Sequence, residues 1–367
     1  MLKIFNNIKK GLIAISVSTV IGIMGVSQAA NASQNTWYPY TVDVWLESFN
    51  MESQRASYSY SALDKAKKKH NICVSFPHMK DAYWLAVNYG VVNEAKRLGI
   101  KMHLTEAGGY TNLKKQISQI EDCVSSGAKA VIIGGISAKG LRNTVKQLNK
   151  KGIPVIDVVN GISSSKLSAK SLVSFGEMGL KAAKYLASKH ISGTAEAQTA
   201  WFPGPAGAGW VEAGNTGFKT GIKDSSIKLV TTKYGDTGKG TQAKLIEDAI
   251  STYPNLKYIV GTAVTAEVAI GVLKSKGLSD KIKVIAYYMT PGVFSGIKNG
   301  TILAAPTDST VIQGRIAIDQ AVRILEGKPY VKHVGPSLYM VDMSTLRSFD
   351  QSTALAPKDF KPVFNVN

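Results

Sequence analysis

The sequence is poor in the residues that most enzymes use for catalysis and metal binding. It has five histidines and two cysteines among 367 residues. No two histidines are spaced to share a helix face, and two cysteines alone do not complete a zinc site. The motifs G-x-S-x-G and G-x-x-x-x-G-K-[ST] are absent as well. We therefore expect a protein that is not an enzyme and that carries no metal and no cofactor.

Acidic residues are also few. The chain has 25 Asp and Glu against 44 Lys and Arg, which gives a formal charge of +19. Such a charge can favour anionic partners. The lysines are dispersed, however, apart from the run at 65–69, and no nucleic-acid-binding motif accompanies them. We interpret the charge as a solvated basic surface and expect no nucleic-acid partner.

Long apolar runs are absent after the first 30 residues. The chain begins with three lysines in its first ten residues, followed by an apolar run over 11–26 and then by Ala30-Asn31-Ala32. This pattern is typical of a secretory signal peptide that is cleaved after Ala32. A single membrane anchor is the alternative, because the run is near the shortest that could span a bilayer. We predict a signal peptide over 1–32 and a periplasmic mature protein without membrane insertion.

The two cysteines leave two interpretations open. Cys73 lies in the first predicted strand and Cys123 near the end of the second predicted helix. An exported chain permits a disulfide between them. Two small buried side chains would give the same pattern.

Hydrophobic residues are plentiful, at 44% of the chain, which is enough for two lobes with separate cores. From Asn71 onward, apolar strands alternate with amphipathic helices, and a second such series resumes after Val173. Two successive series predict an α/β protein with two doubly wound parallel-sheet lobes joined by a hinge. We assign 33–70 to an N-terminal extension, 71–173 with 309–337 to lobe I, and 174–308 with 338–367 to lobe II.

Aromatic and acidic residues follow the predicted strands, at the edge of a parallel sheet where ligands bind. Aromatic residues are only 8% of the chain, so their density at these positions favours a binding role. Rings beside an acid suit a sugar or a methylated ammonium group, to which each ring contributes about 0.5 to 2 kcal/mol. Core packing of the rings and helix capping by the acid are the alternatives. The candidates from this argument are Asp81, Tyr83, Trp84, Tyr110 and Tyr288.

The order of elements from Asn71 to about Leu325 resembles the type I periplasmic binding proteins of the ribose-binding class. Within that class, the chain is similar to the TorT-type proteins, which are periplasmic partners of the TorS sensor histidine kinase in trimethylamine N-oxide respiration. The similar segments are FPHMKDAYWLAVNYG, EAGGYTN, YIVGTAV, PGVFSGIKNG and APTDSTVIQGR.

The resemblance implies a ligand site between the lobes. It places an aromatic box at Tyr83 and Trp84, and it adds lobe II positions near Glu212, Asp236, Tyr288 and Asp308. Some members carry a tryptophan where this chain has the segment from Val173 to Glu177. Either Phe175 substitutes for that ring or the cage is smaller, and Trp210 is a further candidate for the missing face. The predicted ligand-binding set is Asp81, Tyr83, Trp84, Tyr110, Asn160, Trp210, Glu212, Asp236, Tyr288 and Asp308.

Two functions remain open from the sequence. The first is a receptor that binds trimethylamine N-oxide or a related methylated amine and signals to the periplasmic sensor domain of a TorS-like histidine kinase controlling anaerobic respiration. The alternative is the substrate-binding protein of an ABC transporter for a sugar or another amine. Polar residues such as Asn160, Asp236 and Asp308 would suit the hydroxyls of a sugar.

Overall fold

The structure is a computed structural model and describes residues 36–367. The predicted signal peptide, residues 1–32, lies outside the described residues. Residues 37–367 form one compact unit that contains two main β-sheets. Within residues 36–367, no helix combines the length and the apolar composition that crossing a bilayer requires.

The first main sheet has nine strands in the described part of the chain. They are β1 (Tyr40–Trp45), β2 (Arg55–Tyr60), β3 (Asn71–Phe76), β4 (Lys101–Glu106), β5 (Ala130–Ile133), β6 (Val155–Val158), β7 (Ala169–Ser171), β13 (His333–Pro336) and β15 (Asn365–Val366). Their order is β15-β4-β3-β5-β6-β7-β13-β1-β2. The strands from β4 to β13 in this order run parallel, and antiparallel strands extend both sides. We call this sheet and its helices lobe I.

The second main sheet has four parallel strands in the order β11-β10-β8-β9. We call this sheet and its helices lobe II. A separate antiparallel pair lies beside it, since Leu303, next to its first strand, donates to Val284 of β11. These strands are β8 (Ala197–Gly204), β9 (Ile227–Tyr234), β10 (Leu256–Gly261) and β11 (Lys283–Ala286), with the pair β12 (Ala304–Thr307) and β14 (Tyr339–Asp342).

Local sequence signals mark both ends of the first helix. Asp81 caps the first helix by accepting from the Trp84 backbone N–H at 3.1 Å, and Gly99 ends it with φ +73°. The helices are α1 (Ala82–Leu98), α2 (Leu113–Ser125), α3 (Arg142–Lys150), α4 (Phe175–Ala187), α5 (Gly209–Gly221), α6 (Lys239–Thr252), α7 (Ala263–Ser275), α8 (Pro291–Lys298) and α9 (Thr310–Leu325), with short 3₁₀ turns at Leu346–Ser348 and Gln351–Thr353. The predicted α/β class with two parallel-sheet lobes is confirmed.

Both ends of the described chain join the lobe I sheet. The predicted extension at 33–70 contains a β1–β2 hairpin, and β1 pairs with β13. Our assignment of 338–367 to lobe II was wrong for its last part, because β15 pairs with β4 through Asn365 and His103. A strand of two residues has no detectable period in the sequence, so the sequence did not predict it. Its position depends on pairing with the otherwise free edge of β4.

The two cysteines are joined. Cys73 of β3 and Cys123 of α2 form a disulfide across a sequence separation of 50 residues. Of the two interpretations that the sequence left open, the disulfide is the one in the structure. It ties α2 to β3, the strand that is followed by Asp81, Tyr83 and Trp84.

Candidate functional site

Side chains from both lobes converge on one cavity beyond the carboxyl ends of the strands. Its volume is about 10 Å³, which is room for about one water molecule. The lining residues come from the loops and helix starts that follow β3, β4, β6, β7, β8, β9 and β11. They are His78, Asp81, Tyr83, Trp84, Tyr110, Asn160, Phe175, Trp210, Thr237 and Tyr288. We call the rings of Tyr83, Trp84, Tyr110, Phe175, Trp210 and Tyr288 the aromatic box.

The lobe I wall is built on the first turn of α1. Tyr83 and Trp84 are 6% and 2% exposed, and their ring centroids lie 6.0 Å apart in an edge-to-face arrangement. Trp84 also packs on Phe76 at 4.7 Å, so this ring belongs both to the wall and to the core. Tyr110 completes the wall from the loop after β4, with its ring 5.5 Å from that of His78.

The lobe II wall is built on the starts of α4 and α5. Trp210 in the first turn of α5 lies 5.6 Å from Phe175, the first residue of α4, and 6.3 Å from Tyr288 after β11. Two ring pairs connect the lobes: Tyr83 with Tyr288 at 4.9 Å, and Tyr110 with Trp210 at 5.9 Å. The box is therefore closed from both sides.

Two hydrogen-bond donors at the box are free to meet a ligand oxygen. The Tyr110 hydroxyl accepts from Asn160 Nδ2 at 3.0 Å, and its own proton has no acceptor among the described residues. The Trp210 indole Nε1–H is buried and has no partner in residues 36–367. Since a buried unpaired donor is costly, an acceptor at this position would stabilise the site.

Asp81 is the only acid among the described residues that line the cavity. Burial raises the pKa of its carboxyl to about 6, so that it is largely ionised at neutral pH and gains from a nearby cation. His78 cannot provide that cation, because burial and the charge of Lys80 lower its pKa to about 3. Among the residues that line the cavity, a ligand with a positive group would therefore meet one carboxylate and no positively charged side chain.

Asp308 lies behind the wall and does not line the cavity. The Tyr83 hydroxyl donates to Asp308 Oδ2 at 2.5 Å, and Gln313 Nε2 donates to the same oxygen at 3.2 Å. Burial raises the pKa of Asp308 to about 6. Its contact fixes the ring of Tyr83 in the box.

The structure brings together most of the predicted ligand-binding residues and separates three. The residues in the cavity lining are Asp81, Tyr83, Trp84, Tyr110, Asn160, Trp210 and Tyr288. Asp308 supports Tyr83, as described above. Glu212 is two residues after Trp210 on α5, so its side chain turns away, and it accepts from the Gly207 N–H at 3.3 Å. Asp236 pairs with Lys80 Nζ across the lobes at 2.6 Å.

Three lining residues, His78, Phe175 and Thr237, are absent from the predicted ligand-binding set. His78 lies in the loop between β3 and α1, and Thr237 follows Asp236 after β9. His78 Nε2 lies 3.3 Å from the Thr237 hydroxyl, so the pair bridges the lobes. Both follow strands, and that position was the available signal. The sequence analysis selected rings, acids and Asn160 at such positions and did not select His78 or Thr237.

Two parallel-sheet lobes with a ring-lined cavity between them define a ligand-binding protein of the two-lobed type. Residues 72–329 match the family described as periplasmic binding protein domain. The chain belongs to the periplasmic binding protein family, and its resemblance to the ribose-binding class and to TorT is confirmed.

Three relatives illustrate this membership. TorT of Escherichia coli strain K12 is 30% identical over 300 residues, which cover 82% of this chain and 86% of TorT. A solved complex of the TorS sensor domain with TorT shows 34% identity, coverage of 80% of this chain and 99% of that chain, and a TM-score of 0.74.

The second relative is a solved ABC transporter solute binding protein from Bradyrhizobium sp. BTAi1 with bound bis-tris. It is 59% identical, covers 91% of this chain and 100% of its own, and has a TM-score of 0.79. The third, the ribose import binding protein RbsB of Bacillus subtilis strain 168, is 26% identical over 276 residues, 74% of this chain and 87% of that protein.

Proposed function

We propose that this protein is a periplasmic receptor that binds trimethylamine N-oxide or a related methylated amine. Ligand occupancy would be reported to the periplasmic sensor domain of a TorS-like histidine kinase that controls anaerobic respiration. One observation carries the proposal: rings from both lobes close around a cavity whose lining contains a single buried carboxylate, Asp81.

The chemistry of the ligand matches the two kinds of group at the box. Trimethylamine N-oxide has a positive nitrogen that bears three methyl groups and a negative oxygen. Each ring face in contact with the methylated nitrogen contributes about 0.5 to 2 kcal/mol, and more than one ring is available. The oxygen would accept from the Tyr110 hydroxyl or the Trp210 indole N–H, which have no acceptor in the described chain.

The small volume of the box supports a mechanism with two states. At about 10 Å³ the cavity is closed to any ligand larger than water. Ligand entry therefore requires the lobes to separate, and the bound ligand would hold them together. A receptor reports occupancy when its ligand and its partner both bind one state better than the other. The similarity to TorT in its complex with TorS supports a kinase as that partner.

Titration calorimetry of the purified protein, alone and mixed with the kinase's sensor domain, tests the proposal. We expect saturable binding of trimethylamine N-oxide in at least one setting, and loss of binding in Trp210→Ala and Tyr288→Ala. Tyr58→Ala is the matched control, since Tyr58 is 47% exposed on β2 and does not line the cavity. No response in either setting would remove the ligand from the proposal.

The second candidate function is the binding component of an ABC transporter for an amine. The Bradyrhizobium solute binding protein supports it, because bis-tris is a tertiary amine that carries hydroxyl groups. Both candidates use the same box and differ in the partner. A permease gene beside this gene, together with no binding to the kinase's sensor domain, would favour transport.

A further inference from the structure

A second and much larger cavity adjoins the aromatic box. Its volume is about 640 Å³, and we call it the hairpin chamber. Asn160, Phe175 and Trp210 line both cavities, so the two are neighbours across these side chains. The other lining residues are Ser48, Phe49, Asn50, Met51, Ala138, Val159, Gly161, Ile162, Ser163, Ser164, Ser165, Lys170, Leu172, Val173, Gly209 and Ala213.

The tip of the β1–β2 hairpin forms part of the chamber wall and is fixed to lobe I. The Phe49 backbone N–H donates to His333 Nδ1 at 3.1 Å. The ring of Trp45 stacks on His333 with centroids 4.0 Å apart and an interplanar angle of 10°. Burial lowers the pKa of His333 to about 3, so it is a neutral acceptor at all physiological pH values. The chamber wall is therefore built from anchored segments.

The polar groups of the chamber complement those of the box. Lys170 is the only charged residue among the described residues that line the chamber, and four serines line the same cavity. Its side chain is 5% exposed, donates to the Ile162 carbonyl at 3.0 Å and lies 3.4 Å from Asp157 Oδ2. These contacts leave one of its three ammonium hydrogens available.

The two cavities present groups of opposite sign to one ligand: a carboxylate in the box, and in the chamber an ammonium whose charge is paired with the buried Asp157 and which keeps one free hydrogen. The box offers rings and the carboxylate of Asp81, which suit a cation. The chamber offers Lys170 and hydroxyls with no lining carboxylate, which suits an anionic group. From this polarity we infer that the site accepts trimethylammonium carboxylates. The methylated ammonium would sit in the box, and the carboxylate arm would reach past Trp210 into the hairpin chamber. The inference rests on the function proposed for the box.

Calorimetry with a matched set of compounds tests the inference on the full chain. Tetramethylammonium has the methylated ammonium group without a carboxylate arm. 3,3-Dimethylbutanoate has the carboxylate arm but an uncharged tert-butyl group in place of the ammonium. Glycine betaine and γ-butyrobetaine have both the trimethylammonium group and the carboxylate. A new charge-assisted hydrogen bond improves affinity by about tenfold or more, so we expect at least one betaine to exceed tetramethylammonium by that factor.

Two variants locate the arm. Lys170→Met combined with Asp157→Asn removes the ammonium without leaving a buried unpaired carboxylate. Ser164→Phe places a ring in the chamber and leaves the ion pair intact. In both we expect the betaine preference to fall below about threefold, while tetramethylammonium binds within about twofold of the parent protein. Lys228→Met, on the exposed face of β9, is the control and should leave all affinities unchanged.

The outcomes separate this inference from the proposed function. Equal affinity for betaines and tetramethylammonium in the parent protein, or a preference that survives in both variants, overturns the inference alone. If no ammonium compound binds, the function proposed for the box falls and the inference falls with it. A preference that disappears in both variants, with tetramethylammonium binding retained, supports it.

Discussion

Asp81 combines two roles that affect stability in opposite directions. Its side chain caps α1 at the Trp84 N–H, which stabilises the helix. The same carboxyl is buried beside the rings, and burial raises its pKa to about 6 from an ordinary value of 3.8. Ionised Asp81 is therefore costly in the empty protein. We expect a cationic ligand to offset that cost.

The raised pKa of Asp81 determines the direction in which the free energy of unfolding changes with pH. Because burial disfavours the ionised form, Asp81 stabilises the empty fold fully below its unfolded pKa, and this contribution is lost as pH rises through about 6. Asp308, whose pKa is also raised to about 6, acts in the same direction. Together they lower the free energy of unfolding between about pH 4 and about pH 7.

We predict that Asp81→Asn stabilises the empty protein and weakens ligand binding. Asparagine also caps helices, so α1 keeps its first turn. At pH 7.5 the free energy of unfolding should rise by about 1 to 3 kcal/mol relative to the parent, with little gain at pH 4.5. Urea denaturation at the two pH values measures this, and calorimetry should show about tenfold weaker trimethylamine N-oxide binding.

A gain of equal size at both pH values would contradict this prediction, because the effect must follow the ionisation of the carboxyl. Asp224→Asn is a suitable control, since Asp224 is exposed and follows the end of α5, whereas Trp210 lies at the start of that helix. It should change neither the pH profile nor the affinity.

At the scale of elements, the contact between α4 and α5 positions two rings of the box. Each helix carries a ring at its start, Phe175 on α4 and Trp210 on α5. The helices touch through glycine. A Cβ on Gly217 would lie 1.8 Å from the carbonyl oxygen of Gly176, which is closer than any real contact. Even one methyl group must therefore separate the helices and move the rings.

We predict that Gly217→Ala lowers the free energy of unfolding by about 1 to 3 kcal/mol through overpacking and also weakens ligand binding. Urea denaturation and calorimetry measure the two effects. Gly271→Ala on α7 is the matched control, because a Cβ there meets nothing within 4 Å. It should raise stability by a few tenths to about 1 kcal/mol, as alanine favours helix. Equal effects from both substitutions would refute the close-packing explanation.

The disulfide between Cys73 and Cys123 joins β3 to α2 covalently. It closes a loop over a sequence separation of 50 residues. Replacing Cys73 and Cys123 together by alanine should lower the free energy of unfolding by about 4 kcal/mol, because the unfolded chain regains the entropy that the bridge removes. Denaturation of the parent protein with and without reductant should reproduce this difference. Insensitivity to reductant would show that the bridge does not stabilise the fold.

At the scale of the whole molecule, polar contacts join the lobes beside the box. Lys80 Nζ lies 2.6 Å from Asp236 Oδ2, and His78 Nε2 lies 3.3 Å from the Thr237 hydroxyl. Lys80 and His78 follow the β3 strand of lobe I, whereas Asp236 and Thr237 follow the β9 strand of lobe II. Under the proposed mechanism, these contacts would break when the lobes separate.

We predict that Asp236→Asn weakens ligand affinity by up to about fivefold, since a half-exposed ion pair contributes about 0.2 to 1 kcal/mol. The change should appear in the dissociation rate, because the ion pair exists only with the lobes closed. It should shrink at high salt, where exposed charges are screened. Stopped-flow measurements at low and high salt test this. An effect that does not depend on salt would point to a different role for Asp236.

Local sequence patterns determined much of the architecture. The alternation of apolar strands and amphipathic helices predicted both parallel sheets, because burial on two faces requires nearly continuous apolar strands. The position of a residue after a strand predicted Asp81, Tyr83 and Trp84 at the cavity, because parallel strands end at the same edge. These conclusions need only short-range periodicity and the geometry of one sheet.

Only the tertiary structure decided how the carboxyl edges of the lobe I and lobe II sheets face each other. Glu212 follows a strand as Trp210 does, but the helical turn directs it away from the cavity. The β1–β2 hairpin and β15 join lobe I through edges that are distant in sequence. The hairpin chamber exists because the tip of the β1–β2 hairpin meets the segments that carry Asn160 and Trp210. Contacts of this kind depend on side-chain direction and on long-range packing, and a local pattern in the sequence contains neither.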